Sequence, residues 1–188
     1  DAEGQFLAAI RSDPKAPLTH FTLGRIYGKY NRWRQAVASL ETAHRLDPDD
    51  TEIALGLAMA YHELALRSHE PWREQAKALL EKLETRAPRD VRVLKQLAGL
   101  YVFFNQMDEA EARYRKILAL DPADFRVRLQ LGRSIAEKAD RPEAFAEAEK
   151  LLAACAADDP LSADVALAQG ILAFRADRPR DAVGHLRR

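Results

Sequence analysis

The stretch YHELALRSH, Tyr61 to His69, brings His62, Glu63 and His69 close together in sequence. A helix that aims two imidazoles at one zinc ion needs its second His four residues after the first, with the Glu beside the first as general base. Here the second His arrives too late for that face, so these read as surface histidines and not as a metal site. The run DPDDTE places Asp47, Asp49 and Asp50 together, as the opening of a calcium loop would. It lacks the Gly at the sixth loop position and the Glu at the twelfth that such a loop uses to turn and to close the coordination shell. The reading left is a helix stop followed by an acidic turn at the next helix start. Cys155, the only cysteine, is expected to be a small buried apolar residue with no base beside it, and it has no partner for an internal disulfide. No Gly-rich phosphate loop occurs. The expectation is a chain that is not an enzyme, with no catalytic residues, metal or cofactor.

What such a chain can do must then come from its surfaces. Its 188 residues carry 29 basic and 29 acidic side chains, so no global field points to nucleic acid or to an anionic membrane. Hydrophobic residues make up 47% and charged residues 31%, a balance that suits a helix-rich water-soluble protein. No uncharged apolar run approaches the roughly 18 residues that span a bilayer, and the acidic N-terminus lacks a secretion-signal pattern. Neither nucleic acid nor membrane insertion is expected. A single cysteine fits the cytoplasm and the periplasm equally, and the compartment stays open.

The elements that would shape a binding surface are written as a repeat. LGRIYGKYNRWRQAVASLETAHRLDPDD, from Leu23, returns as LAGLYVFFNQMDEAEARYRKILALDPAD, from Leu97. From Pro17, His20, Leu23, Gly24 and Tyr27 are followed by Ala36, Leu40, Ala43 and Pro48. From Val91 the same slots hold Leu94, Leu97, Ala98, Tyr101, Ala110, Tyr114, Ile117 and Pro122. These spacings match W-x2-L-G-x2-Y, A-x3-F and P of a 34-residue repeat, with only the Trp slot departing strongly. The chain therefore resembles the tetratricopeptide repeat family along its whole length. The frames run 17–50, 51–90, 91–124 and 125–162, preceded by a half repeat at 1–16 (Ala2, Phe6, Ala9, Pro14) and followed by a truncated one at 163–188. The second frame needs an insertion at RSHEPW. The fourth offers Ala144 or Ala148 for its small slot, and Pro160 favours Ala148. The cut ends lead to the expectation of a fragment of a larger protein.

Apolar residues at helical spacing make each frame a pair of amphipathic helices, A and B, with helix A of the third over about 92–104 and helix B over about 108–120. Small residues in helix A (Gly24, Ala58, Gly132, Gly170) match small ones in helix B (Ala36, Ala76, Ala182), which lets the pair approach closely. Asn31 and Asn105, the only asparagines, sit with Asp177 at the turn between helices, where a left-handed residue is needed. The fold expected is all-α, a right-handed superhelical solenoid of stacked antiparallel helix pairs with a concave inner face.

The resemblance implies that this inner face, built from recurring helix A positions, takes the partner. Carried over, the binding residues are Phe21, Arg25, Lys29, Leu55, Met59, His62, Arg92, Lys95, Val102, Arg126, Leu129 and Arg133, with Gly28, Glu52, Glu63 and Gly99 on the same face. An apolar stripe with basic margins suits a protein or peptide partner that is acidic or amphipathic. The Lys/Asn/Asn/Lys/Arg clamp by which some family members hold chaperone tails is met here by Phe21, Arg25, Gly56, Arg92 and Gln96. Only Arg92 keeps the required character, which disfavours that ligand. Trp72 in the insertion is either a second contact site or packed against the repeat. The first reading of function is a non-catalytic module that binds a peptide or partner helix in its groove. The alternatives are a scaffold domain of a larger bacterial envelope, exopolysaccharide-secretion or glycosyltransferase protein, and self-assembly into a homo-oligomer through open ends where Phe6 and Leu186 lie.

Overall fold

A computed structural model describes residues 4–5, 8, 11–67 and 71–186. Between Pro17 and Leu186 the described residues form ten helices and no strand: α1 (Pro17–Lys29), α2 (Trp33–Leu46), α3 (Thr51–Ala65), α4 (Trp72–Arg86), α5 (Val91–Phe103), α6 (Met107–Leu120), α7 (Phe125–Lys138), α8 (Pro142–Asp158), α9 (Ala163–Arg175) and α10 (Pro179–Leu186). The helices expected over 92–104 and 108–120 are α5 and α6, met to within one residue at each end. Ala2, Phe6 and Ala9 of the first half repeat lie outside the described residues, as do His69 and the middle of the insertion.

Local chemistry sets the helix ends. Asp50 accepts from the backbone N–H of Glu52 and Ile53 at 2.7 and 3.0 Å, which caps α3. Asp124 caps α7 through Val127 N–H at 3.1 Å, and Ser162 caps α9 through Val165 N–H at 3.4 Å. Such caps satisfy donors that the helix leaves unpaired. Pro17 and Pro142 open α1 and α8 with the fixed φ a first turn needs. Between repeats, Asp47, Asp121 and Asp159 each accept from the backbone N–H two residues on, at 3.2–3.3 Å, so the chain turns at the same place three times. Asn31, Asn105 and Asp177 hold φ of 58°, 57° and 55°, the left-handed turn expected of them within each helix pair.

The chain divides into two compact units, residues 1–100 and 101–188, with the boundary inside α5. In unit 1, α1 packs on α2, α3 on α4, and α3 also on α2 and α1. Its core includes Leu23, Leu40, Leu57, Ala58, Leu80, Leu94 and Leu97, all at most 3% exposed. The small residues work as expected: a Cβ on Gly24 would stand 2.6 Å from Leu40 Cγ and 3.2 Å from the Ala36 carbonyl oxygen. In unit 2, α7 packs on α6, α8 and α9, and α9 packs on α10. Ile117, Leu131, Ala148, Leu152 and Cys155 are buried. Ala148, not Ala144, is the fully buried alanine of α8, and a Cβ on Gly132 would meet Leu152 and Leu151 at 3.0–3.2 Å.

Unit 2 also carries a buried polar cluster. Glu111, 4% exposed, accepts from Ser134 Oγ at 2.7 Å and pairs with Lys138 at 2.9 Å. Lys138 reaches Asp108 as well. Arg115 grips Glu147 with Nε and Nη2 at 3.1 and 3.2 Å. These bonds tie α6, α7 and α8 together, and every charge in the set has an opposite neighbour.

Candidate partner-binding site

Helices α1 and α3 lie side by side in unit 1, and their helix A faces leave a groove between them. The groove encloses about 650 Å³. Of the twelve residues expected to bind a partner, six line it: Phe21, Arg25 and Lys29 from α1, and Leu55, Met59 and His62 from α3. The three α1 residues are spaced one turn apart, which sets them in a row. Glycines bring backbone and rings together here. A Cβ on Gly56 would lie 3.0 Å from Phe21 Cε2, and one on Gly28 would lie 3.0 Å from the Trp33 ring. Phe21 thus rests across α3, and Trp33 closes the end of the groove from α2.

Trp33 was not among the sequence-derived residues, and Gln96 was named only against the chaperone-tail clamp; both line the groove. Trp33 comes from helix B, outside the helix A positions considered. Its signal was Gly28 five residues earlier, a space that a large ring fills.

The remaining six expected residues fall elsewhere. Arg92 and Lys95 are on α5, outside the residues lining the groove. Arg92 is engaged with Asp90 and with Glu52, and its hydrogen bond holds the Asp90 carboxyl below the usual carboxylate range. Val102, Arg126, Leu129 and Arg133 belong to unit 2. Val102 is 41% exposed. Arg126 is exposed too. Arg133 pairs with Glu137 at 2.9 Å. Leu129 is a correction: at 8% exposed it has almost no surface to offer, because α9 packs on the helix that carries it. Leu55, 7% exposed, is groove floor and not a protruding contact.

Met59 is the most available apolar contact in the groove, 44% exposed. Arg25 lies over the Phe21 ring with its guanidinium carbon 5.6 Å from the centroid. Burial pushes the His62 imidazole below its ordinary value, with Glu63 working weakly against the shift. Trp72 takes the packed alternative. It stacks on Tyr61, centroids 5.6 Å apart and planes 20° from parallel. Tyr61 in turn donates its hydroxyl to Glu41 at 2.8 Å. Burial first, and that acceptor second, push the Tyr61 phenol up.

Among the described residues no cluster of His, Cys, Asp and Glu is arranged to hold a metal ion. Cys155 is fully buried, and desolvation raises its thiol. No helix among the described residues is long and apolar enough to cross a membrane.

Residues 73–131 match the tetratricopeptide repeat family. Those residues are tetratricopeptide repeat sequence. The fold of the chain is similar to solved structures along nearly its whole length. YrrB, described as a tetratricopeptide repeat protein with an unusual peptide-binding site, is 20% identical, with a TM-score of 0.80 over 97% of this chain and 89% of that one. MamA AMB-1 is 25% identical, with a TM-score of 0.75 over 93% of this chain and 96% of that one. A tetratricopeptide repeat protein from Parabacteroides merdae is 21% identical, with a TM-score of 0.74 over 98% and 69%. No curated protein matches the sequence. The repeat fold of this chain is one of protein-interaction modules.

Proposed function

We propose that this protein is a non-catalytic binding module that holds a peptide or partner helix in the groove of unit 1. One observation supports it most. The groove is open, and it sets the exposed Met59 and the Phe21 ring beside the cationic side chains of Arg25 and Lys29. An amphipathic helix or extended segment seats its anchors in such slots. The peptide-binding site named for YrrB is consistent with this use of the fold. Arg92 and Lys95 enter the proposal as outer contacts on unit 1, and Val102, Arg126 and Arg133 as separate contacts carried by unit 2. The test is affinity for a partner recovered with the full-length protein. Met59→Glu is expected to weaken binding at least tenfold with the helical signal unchanged. Unchanged affinity would overturn the proposal.

A second reading has its own observation. On α9 and α10, Leu167, Phe174, Val183 and Leu186 are 42%, 72%, 47% and 59% exposed on one almost wholly apolar face. Exposed apolar patches of this kind mark association surfaces. Self-assembly through this face predicts concentration-dependent light scattering that Phe174→Ser abolishes.

A further inference from the structure

We infer that the groove of unit 1 selects a segment carrying side-chain carboxylates, an acidic amphipathic helix with acids one turn apart. The inference rests on the groove reading and adds the chemistry of the occupant.

The groove holds two carboxylates and two cations of fixed charge, yet it is not electrically balanced. Glu52 is taken by Arg92 and Glu63 by Arg67, both outside the lining. Arg25 and Lys29 meet no carboxylate among the described residues, and Arg25 lies over the Phe21 ring. Two cations therefore face the groove uncompensated, four residues apart on α1. That spacing is one helical turn. Carboxylates at i and i+4 of a bound helix repeat it, and a pair of charge-assisted contacts fixes the register of the helix on α1.

A continuous segment fits better than a chain end. The lining runs from Glu52 to Glu63 along α3, about 16 Å at the helical rise per residue. A helix of about three turns covers that length, with its apolar stripe on Met59 and the Phe21 ring. Trp33 stands at the same end as Lys29 and closes the groove there with its ring.

The experiment is selection of a displayed random library of 16-residue peptides on the intact protein, on Arg25→Glu/Lys29→Glu, and on Met59→Glu. The wild type is expected to enrich sequences with Asp or Glu at i and i+4 beside apolar residues. The reversed variant is expected to enrich Lys or Arg at the same spacing. For individual peptides, exchanging the two acids for their amides is expected to weaken binding about tenfold at low salt, less as salt rises. Neutral or basic sequences enriched on the wild type, and lost on Met59→Glu, would overturn the acidic-segment inference while leaving the groove in place. Enrichment that survives Met59→Glu would overturn the groove reading itself. The charge swap separates recognition from misfolding, because an unfolded variant enriches no basic counterpart.

Discussion

Gly24 and Gly99 sit in helices of the same unit, and exchanging each for Ala isolates the close packing that builds it. Alanine is the better helix former by about 0.8–1.0 kcal/mol, and both exchanges gain that. They differ in what the new methyl meets. At Gly99 nothing lies within 4 Å, so the gain stands alone. At Gly24 the methyl would be 2.6 Å from Leu40 Cγ, 3.0 Å from its Cδ2 and 3.2 Å from the Ala36 carbonyl oxygen. Leu40 is 3% exposed and packed in the core, so it has little room to swing away. Overpacking of this kind costs about 1–3 kcal/mol. Gly99→Ala is therefore expected to stabilise by about 1 kcal/mol, and Gly24→Ala to fall about 1–3 kcal/mol below it. Urea unfolding followed by circular dichroism reads both. In a chain of this length each 1 kcal/mol moves the melting temperature by about 2–4 °C. Equal stabilisation by the two exchanges would refute the claim that the Gly24–Ala36 contact draws α1 and α2 together.

Three further outcomes follow from the same contacts. His44 has a buried Nδ1 without a partner, and burial, then Lys82 and Arg86, lower its imidazole from 6.5; burial does the same to His62. Because the unfolded chain binds those protons more readily, stability is complete above pH 6.5 and is lost as the pH falls below it, a slope that His44→Gln reduces and that urea midpoints between pH 5 and 7.5 would reveal. Ser134→Ala removes the hydroxyl that Glu111 accepts from at 2.7 Å, and is expected to cost about 1.5–3 kcal/mol in the wild type but much less once Glu111 is Gln, as a double-mutant cycle would show. Partner binding is expected to change the emission of Trp33 and not of Trp72, so Trp33→Phe abolishes the fluorescence change and Trp72→Phe keeps it.

Much of the fold was readable because each repeat must satisfy the same local constraints. A left-handed turn needs an Asn or Asp, which fixed Asn31, Asn105 and Asp177 in advance. A close helix pair needs a small residue on both sides, which pointed to Gly24 against Ala36. The site was readable only in part. Positions alone brought Phe21, Arg25, Lys29, Leu55, Met59 and His62 to one groove. They could not show that Leu129 is buried, since that depends on the helix packed across it. Nor could they show that Arg92 reaches back to Glu52, because long charged side chains choose partners in the neighbouring repeat by geometry that a single frame does not contain. Trp72 followed the same rule, its ring settled by Tyr61 on another helix.

The central claim is that a partner lies in the groove between α1 and α3, and photo-crosslinking tests it most directly. A benzophenone side chain replaces Met59, in the groove, or Ala38, exposed on α2, in the full-length protein within its own cells. The expected result is a covalent adduct of one defined size from position 59 and none from position 38. An adduct from position 38 with none from position 59 would contradict it.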